Sequence, residues 1–401
     1  MNSERVPSDC PALATDPFAP EFLADPHPHH QELREAGPVI WLERYGIYAM
    51  ARHEQVSAAL EDWRTFSSAA GVGLDDFRRN KPWRPPSILL EVDPPLHTRT
   101  RSVMSKILSS AALQALRDDW QAKANALIEE LIARETFDAV ADLGAVFPLQ
   151  VFPGAVGVMA EGRQNLLPFA NMVFNSFGPR NEIFLESIRA AEPVVGWIMA
   201  ASQRDNIAPA GFGAQVYAAA DRGELSADEA ATLVRSMLTA GLDTTVIGIT
   251  SAVYAFAEHP DQWQALRAEP ALIRRAFDEV VRWASPVQTF FRTTTHEVTV
   301  AGVHIPADAK VLLFLGAANR DPRRWEHPET FDLQRRTLGH VGFGFGVHSC
   351  VGQMVAKLEA EVLLRALSQR VQRIELVSPP RRHLNNTLRA FASLPVRLHV
   401  H

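Results

Sequence analysis

Cysteine is nearly absent. Cys10 and Cys350 are the only two in 401 residues, so neither a disulfide framework nor a thiolate cluster for zinc or iron–sulfur can be built. Excess basic charge is absent too. Forty Lys and Arg stand against 46 Asp and Glu, net −6 with His neutral, which argues against a nucleic-acid partner. No run of about 18 apolar residues occurs. The most apolar stretch, Ala145 to Ala160, is interrupted by Pro148 and Pro153 and makes no clean membrane span. Met1 to Pro7 are polar and lack an apolar signal core. Internal repeats and low-complexity linkers are also missing. The expectation is a cytoplasmic chain with no membrane and no nucleic acid.

What is present is a large core. Hydrophobic residues make up 47% and charged residues 21%. The length suggests two or three units at roughly 150 residues each, but 27 prolines spread along the chain suit many short connections within one fold. We expect one domain over 1–401, mainly α with small β-sheets, its β-rich portion at 37–70, 287–320 and 385–401. Val39–Leu42 with Ile47–Ala51 reads as a hairpin around Tyr45-Gly46. Val298–Val300 with Val303–Ile305 reads as a second, and Lys310–Leu315 and Val396–Val400 as further strands. The clearest helix starts at a capping box, Ser226 with Glu229, and runs to Pro260. That gives about 32 residues and a rod of roughly 48 Å. Its middle must be buried, yet holds Arg235, Ser236, Thr239, Gly241, Asp243, Thr244 and Thr245. A local rule broken in a core element marks function.

Phe343-Gly344-Phe345-Gly346-Val347-His348-Ser349-Cys350-Val351-Gly352 precedes an amphipathic helix striped by Val351, Val355, Leu358, Val362 and Ala366. Cys350 thus stands at a helix start, where free amides and the dipole lower a thiol pKa. The glycines let the backbone approach whatever lies against it. A flat, bulky ligand bound through sulfur needs this arrangement. Gly342, Gly344 and Gly346 make no dinucleotide fingerprint, because the third glycine required is Val347 or Ser349. The ten residues resemble the haem-ligand loop of the cytochrome P450 family, Phe-Gly-x-Gly-x-His-x-Cys-x-Gly.

The resemblance implies a triangular helical body with a long central helix over haem b, and Cys350 as axial thiolate on the iron, a ligand that favours O–O cleavage. His348, His97, Arg101 and Arg292 would hold the propionates, with His97 and Arg101 in His97-Thr98-Arg99-Thr100-Arg101. Glu279-Val280-Val281-Arg282 resembles the family's Glu-x-x-Arg, joined by Arg335 in a charge network under the cysteine loop. Ala240-Gly241-Leu242-Asp243-Thr244-Thr245 resembles its oxygen-binding groove, Asp243 and Thr244 relaying protons. Read without the family, Thr244 would bond back to the Ala240 carbonyl.

Ser236, Ala240 and Thr244 share one helical stripe, which spaces an anchor at one end of a small molecule from chemistry at the other. Arg84, in Lys81-Pro82-Trp83-Arg84-Pro85-Pro86-Ser87, is stiffened by Trp83 and Pro85 and suits a carboxylate. These segments, with Phe174–Pro179 and Ser285–Thr295, resemble the bacterial subfamily that oxidises para-substituted benzoic acids, the 4-methoxybenzoate O-demethylase type. The resemblance runs from about Thr15 to Leu398. It implies that Arg84, Ser87 and Ser236 hold the substrate carboxylate, that Arg235 guards that end, and that Phe174, Phe177, Val287 and Phe290 sandwich the ring. Thr239, beside Ala240 in the pocket, stands where the subfamily has Ser, and Phe345 where a small residue is common.

The implied reaction uses O2 and electrons from a 2Fe-2S ferredoxin served by an NADH-dependent ferredoxin reductase, in a monomer. Paired arginines at 274–275, 323–324, 335–336 and 381–382 include candidates for an acidic-ferredoxin dock. A hydroxylase of another small aromatic or apolar acid is the neighbouring reading. A haem-thiolate ligand sensor without turnover is the reading from another class, disfavoured by Asp243-Thr244. Cys10, in a polar terminal stretch, reads as incidental.

Overall fold

The computed structural model describes residues 7, 9–82 and 84–400. The polar stretch 1–6 and Trp83 therefore lie outside the described residues. The architecture is mainly helical with small sheets, as expected.

The capping box at Ser226 forms. The Ser226 hydroxyl accepts from Glu229 N at 3.1 Å, and the Glu229 carboxylate accepts from Ser226 N at 2.8 Å. The expected single rod is instead two helices, Ala227–Ala240 and Asp243–Glu258. The cause is local competition for carbonyls. Thr244 Oγ1 donates to Ala240 O at 3.0 Å and Thr245 Oγ1 to Gly241 O at 3.1 Å, in place of backbone amides. Leu242, at φ −104°, carries the offset. The second segment is largely buried and packs against the helices Ile273–Ala284 and Gln353–Arg370 and the turn Ala139–Gly144, while the first packs against the helices Leu166–Asn175 and Phe212–Asp221. Among the described residues two stretches are long and apolar enough to cross a bilayer, Ala139–Val156 and Ala227–Glu258, but their most apolar 18-residue windows are 50% and 67% buried inside the protein. Aromatic residues fill the core beside them: Trp263 and Phe256 are fully buried with ring centroids 5.1 Å apart, each burial contributing about 1.5–3 kcal/mol.

The main sheet has six strands in the order Ala12–Leu13, Ile40–Leu42, Ile47–Met50, Lys310–Phe314, Thr289–Thr294, Phe66–Ser67. The first hairpin pairs Ile40 with Ala49 and Leu42 with Ile47, the second Val298 with Ile305. Pro395–Val400 pairs with Val371–Leu376, a strand whose polar alternation gave no sequence signal. Cys10, expected in a polar terminal stretch, is sheltered by the fold. It is buried, its Sγ lies 3.6 Å from Val39 O, and burial pushes its thiol up to about 11.

Candidate active site

A cavity of about 710 Å³ opens between the two central helices, the cysteine loop, the helix Leu166–Asn175 and the loop carrying Arg84, within the range of small-molecule sites. Cys350 lines it and keeps accessible surface there. The loop's shape follows from two left-handed glycines, Gly344 at φ +71° and Gly346 at φ +67°. A Cβ on Gly346 would also lie 2.8 Å from Leu60 O. Cys350 N donates to Phe343 O at 2.7 Å, closing the turn. The regular helix begins at Gln353. Burial pushes the Cys350 thiol up, opposed by the amides of Gly352 and Gln353 and by Arg101. The expected lowering by the helix start is thus outweighed in the protein alone.

The cavity wall around this sulfur is cationic. Arg292 is 3% exposed and burial pushes it down to about 10, with one N–H on Phe291 O at 2.8 Å. Arg101 bonds the backbone carbonyl of Ser349. His97 is buried, its Nε2 has no partner among the described residues, and burial lowers it to about 4. The His348 ring lies tilted beside it, centroids 4.4 Å apart, with Nε2 3.2 Å from Asp93 Oδ1. A sulfur lining the cavity, one buried and one half-buried guanidinium and an orphaned imidazole nitrogen fit a haem, whose carboxylates would meet the cations. Asp93, which also accepts from Ser67 Oγ at 2.5 Å, was missed from sequence.

Glu279 and Arg282 make a bidentate pair at 2.7 and 2.8 Å, and Arg335 Nε reaches Glu279 at 3.3 Å. Arg282 and Arg335 spend their other N–H groups on carbonyls of Asn319, Pro328, Glu326, His327 and Thr330. The paired arginines scatter. Arg323 is bound to Asp321 and Glu35, and Arg382 lies 4.0 Å over Phe391.

Ala240, which ends the first central helix, and Thr244, in the first turn of the second, line the cavity, and Thr244 makes the back-bond given above. Asp243 is half-buried beside the cavity rather than in its wall, and burial pushes its carboxyl up to about 8.

At the far end stand Arg84, Ser87, Arg235, Ser236 and Thr239. Arg84 is clamped by Glu91 in a bidentate pair at 2.8 Å for both bonds, and Glu91 also takes Ser87 N at 2.8 Å. Arg235 contacts neutral groups, Met199 Sδ at 3.7 Å and Thr232 Oγ1 at 3.3 Å. Burial lowers its pKa, and Arg84 adds to that. Thr239 Oγ1 donates to Arg235 O at 2.8 Å. Phe174 and Phe177 meet edge to face at 5.8 Å, Phe290 lies 5.8 Å from Phe177, and Val287 completes an apolar slot. Glu91 gave one sequence signal, an acid inside Ile88-Leu89-Leu90-Glu91-Val92.

A family model described as Cytochrome P450 matches residues 202–398. A protein named cytochrome p450 CYP199A2, from Rhodopseudomonas palustris, is 55% identical over 389 residues, 97% of this chain and 94% of its own. The chain belongs to the cytochrome P450 family. A beta-dihydromenaquinone-9 omega-hydroxylase of Mycobacterium bovis is 31% identical over 95% of this chain and 78% of its own. Among solved structures, a cytochrome P450 CREJ in complex with (4-ethylphenyl) dihydrogen phosphate superposes with TM-score 0.85 at 28% identity, over 96% of this chain and 99% of that one. This P450 is therefore a haem monooxygenase whose iron is held by a cysteine thiolate, using O2 and a redox partner.

Proposed function

We propose that this P450 oxidises para-substituted benzoic acids, and that its reaction is O-demethylation of 4-methoxybenzoate. One O2, two electrons and two protons convert it to 4-hydroxybenzoate, formaldehyde and water. The electrons come from a 2Fe-2S ferredoxin and its NADH-dependent reductase, and the enzyme works as a cytoplasmic monomer. The observation that carries this reading is charge at the end of an aromatic slot. Arg84 is neutralised by Glu91, while among the described residues Arg235 hydrogen-bonds only neutral partners and makes no ion pair. An anionic aromatic ligand supplies the missing charge and fills the slot. The superposed P450 with a 4-ethylphenyl phosphate ligand is a relative that takes a para-alkyl aryl anion.

In this reading Arg235, Arg84, Ser87 and Ser236 orient the carboxylate, with Thr239 beside them. Phe174, Phe177, Val287 and Phe290 exclude water and fix the ring, so the para group is turned toward Cys350. Cys350 holds the iron, and His97, Arg101, Arg292 and His348 hold the haem's carboxylates. The bound haem supplies O2 activation and insertion of one oxygen atom into a C–H bond. Asp243 and Thr244 deliver protons. Glu279, Arg282 and Arg335 keep the cysteine loop in place.

The test is a reductase-coupled assay with a panel of acids. Formaldehyde equal to 4-hydroxybenzoate, with a spin-state shift for para-substituted benzoates and none for 4-methoxytoluene at equal concentration, is expected. A spin shift only with cinnamates or terpenoid acids would move the enzyme to another acid substrate.

A further inference from the structure

A second, far smaller cavity of about 20 Å³ lies among the helix His27–Ala36, the start of the strand Thr289–Thr294 and residues 385–389. It has room for one atom-sized occupant. Its wall is the back of the substrate slot. Gln288 and Thr289 lie between Val287 and Phe290, Leu388 pairs with Val287, and Gln288 N donates to Thr387 O at 2.8 Å.

Three wall side chains carry buried polar atoms with no partner among the described residues: both ring nitrogens of His30, Nε of Arg389 and Oε1 of Gln288. His30 is 1% exposed. Buried polar groups in folded proteins nearly always find a partner, so His30 and Arg389, orphaned in the wall of one void, point to an occupant.

The charge around the void is predominantly positive, opposed by the carboxylates of Asp25, Glu279 and Glu329. Arg389 repels charge on His27, His30, Arg320 and Arg382, and Arg34 and Arg320 add to it at His30. Burial first, then Arg389, pushes Arg320 and Arg382 down to about 9. Arg320 spends hydrogen bonds on Trp283 O and Arg34 on Ala317 O, both uncharged. Asp25 offsets Arg382 and Arg389 from an exposed position, and Glu279, which acts on Arg320, is committed to Arg282.

We propose that this cavity binds one small monovalent anion of halide size, held by His30 and Arg389. Water would leave the excess of positive charge in the cluster unmatched, whereas an anion both accepts from the His30 and Arg389 Nε N–H groups and supplies opposite charge. Gln288 Oε1, an acceptor, is directed at Gly316, where a Cβ would lie 2.5 Å from it. The ion props the wall carrying Val287 and Phe290 from behind.

Crystals of the holoenzyme grown with bromide as the only halide, measured at the bromine absorption edge, should show an anomalous peak in this cavity. Density with no anomalous signal would identify a water and overturn the proposal. In solution, the holoenzyme's Tm should rise saturably with NaBr or NaCl relative to sodium isethionate at equal ionic strength. That rise should vanish in Arg389→Gln and His30→Leu. Equal Tm in all three salts would equally overturn it. Should either variant fail to fold, the bromide experiment on the unaltered enzyme decides.

Discussion

Arg84 and Glu91 lock each other in the wall of the cavity, both guanidinium bonds at 2.8 Å and the Glu91 side chain with no exposure. The residue that best suits a substrate carboxylate thus already has a carboxylate. A free Arg84 would swing or attract stray anions. Clamped, it presents a fixed edge, and Glu91 also fixes the Ser87 amide beside it.

A double-mutant cycle separates the two jobs. Arg84→Ala leaves Glu91 buried without its partner, which costs about 3–5 kcal/mol, and should weaken 4-methoxybenzoate binding. Adding Glu91→Gln should recover most of the stability but none of the affinity. Spin-shift titration and thermal melting of the four proteins check this. If affinity returned together with stability, Arg84 would act only as a structural partner.

The Glu279–Arg282 pair is buried more deeply, with 1% and 0% side-chain exposure. Arg282→Ala should strand Glu279 at a cost of about 3–5 kcal/mol and release the Asn319, Pro328 and Thr330 carbonyls it ties. The expected outcome is a low yield of haem-loaded protein. Arg282→Lys should recover little of it, because one ammonium cannot span Glu279 and three carbonyls. Haem content per purified chain, by pyridine haemochrome, measures this.

The parts legible in the sequence were those set by neighbours in the chain. The capping box, both hairpins and the stripe of the cysteine helix depend on residues a few positions apart, and they stand where the pattern put them. What escaped was decided across the chain. The break after Ala240 arises because two threonine hydroxyls compete for carbonyls. The same side chains fit an unbroken helix equally well on paper. Asp93 meets His348 across 255 positions, and no spacing rule reaches that far. Cys10 looked peripheral because its surroundings are polar in sequence, while its shelter, Val39, immediately precedes the strand Ile40–Leu42.

Gly241 is required by space rather than by backbone angle, since its φ is −84°. A Cβ there would lie 2.6 Å from Phe152 and 2.8 Å from Met237 O. Phe152 lines the cavity, so Gly241→Ala must push that ring or the helix. Overpacking of this kind costs about 1–3 kcal/mol. The variant should melt earlier and bind 4-methoxybenzoate more weakly. Combining it with Phe152→Leu, which makes room, should restore part of both. Failure of the second substitution to help would place the clash on the carbonyl alone.

Asp243 is the group whose ionisation should be visible in stability. An ordinary aspartate releases its proton near 3.8, and burial holds that of Asp243 until about 8. Between those values the folded chain keeps a proton that the unfolded chain has lost. Wild-type stability therefore declines as pH rises through this window and levels off above it. Asp243→Asn has no such proton, so its Tm should climb relative to wild type from about pH 4 to about pH 8 and run parallel beyond. Two curves parallel throughout would mean that the carboxyl ionises as it does in water. The same protonated carboxyl stands next to Thr244, so Asp243→Asn should also lower product formed per NADH consumed, with the balance appearing as peroxide.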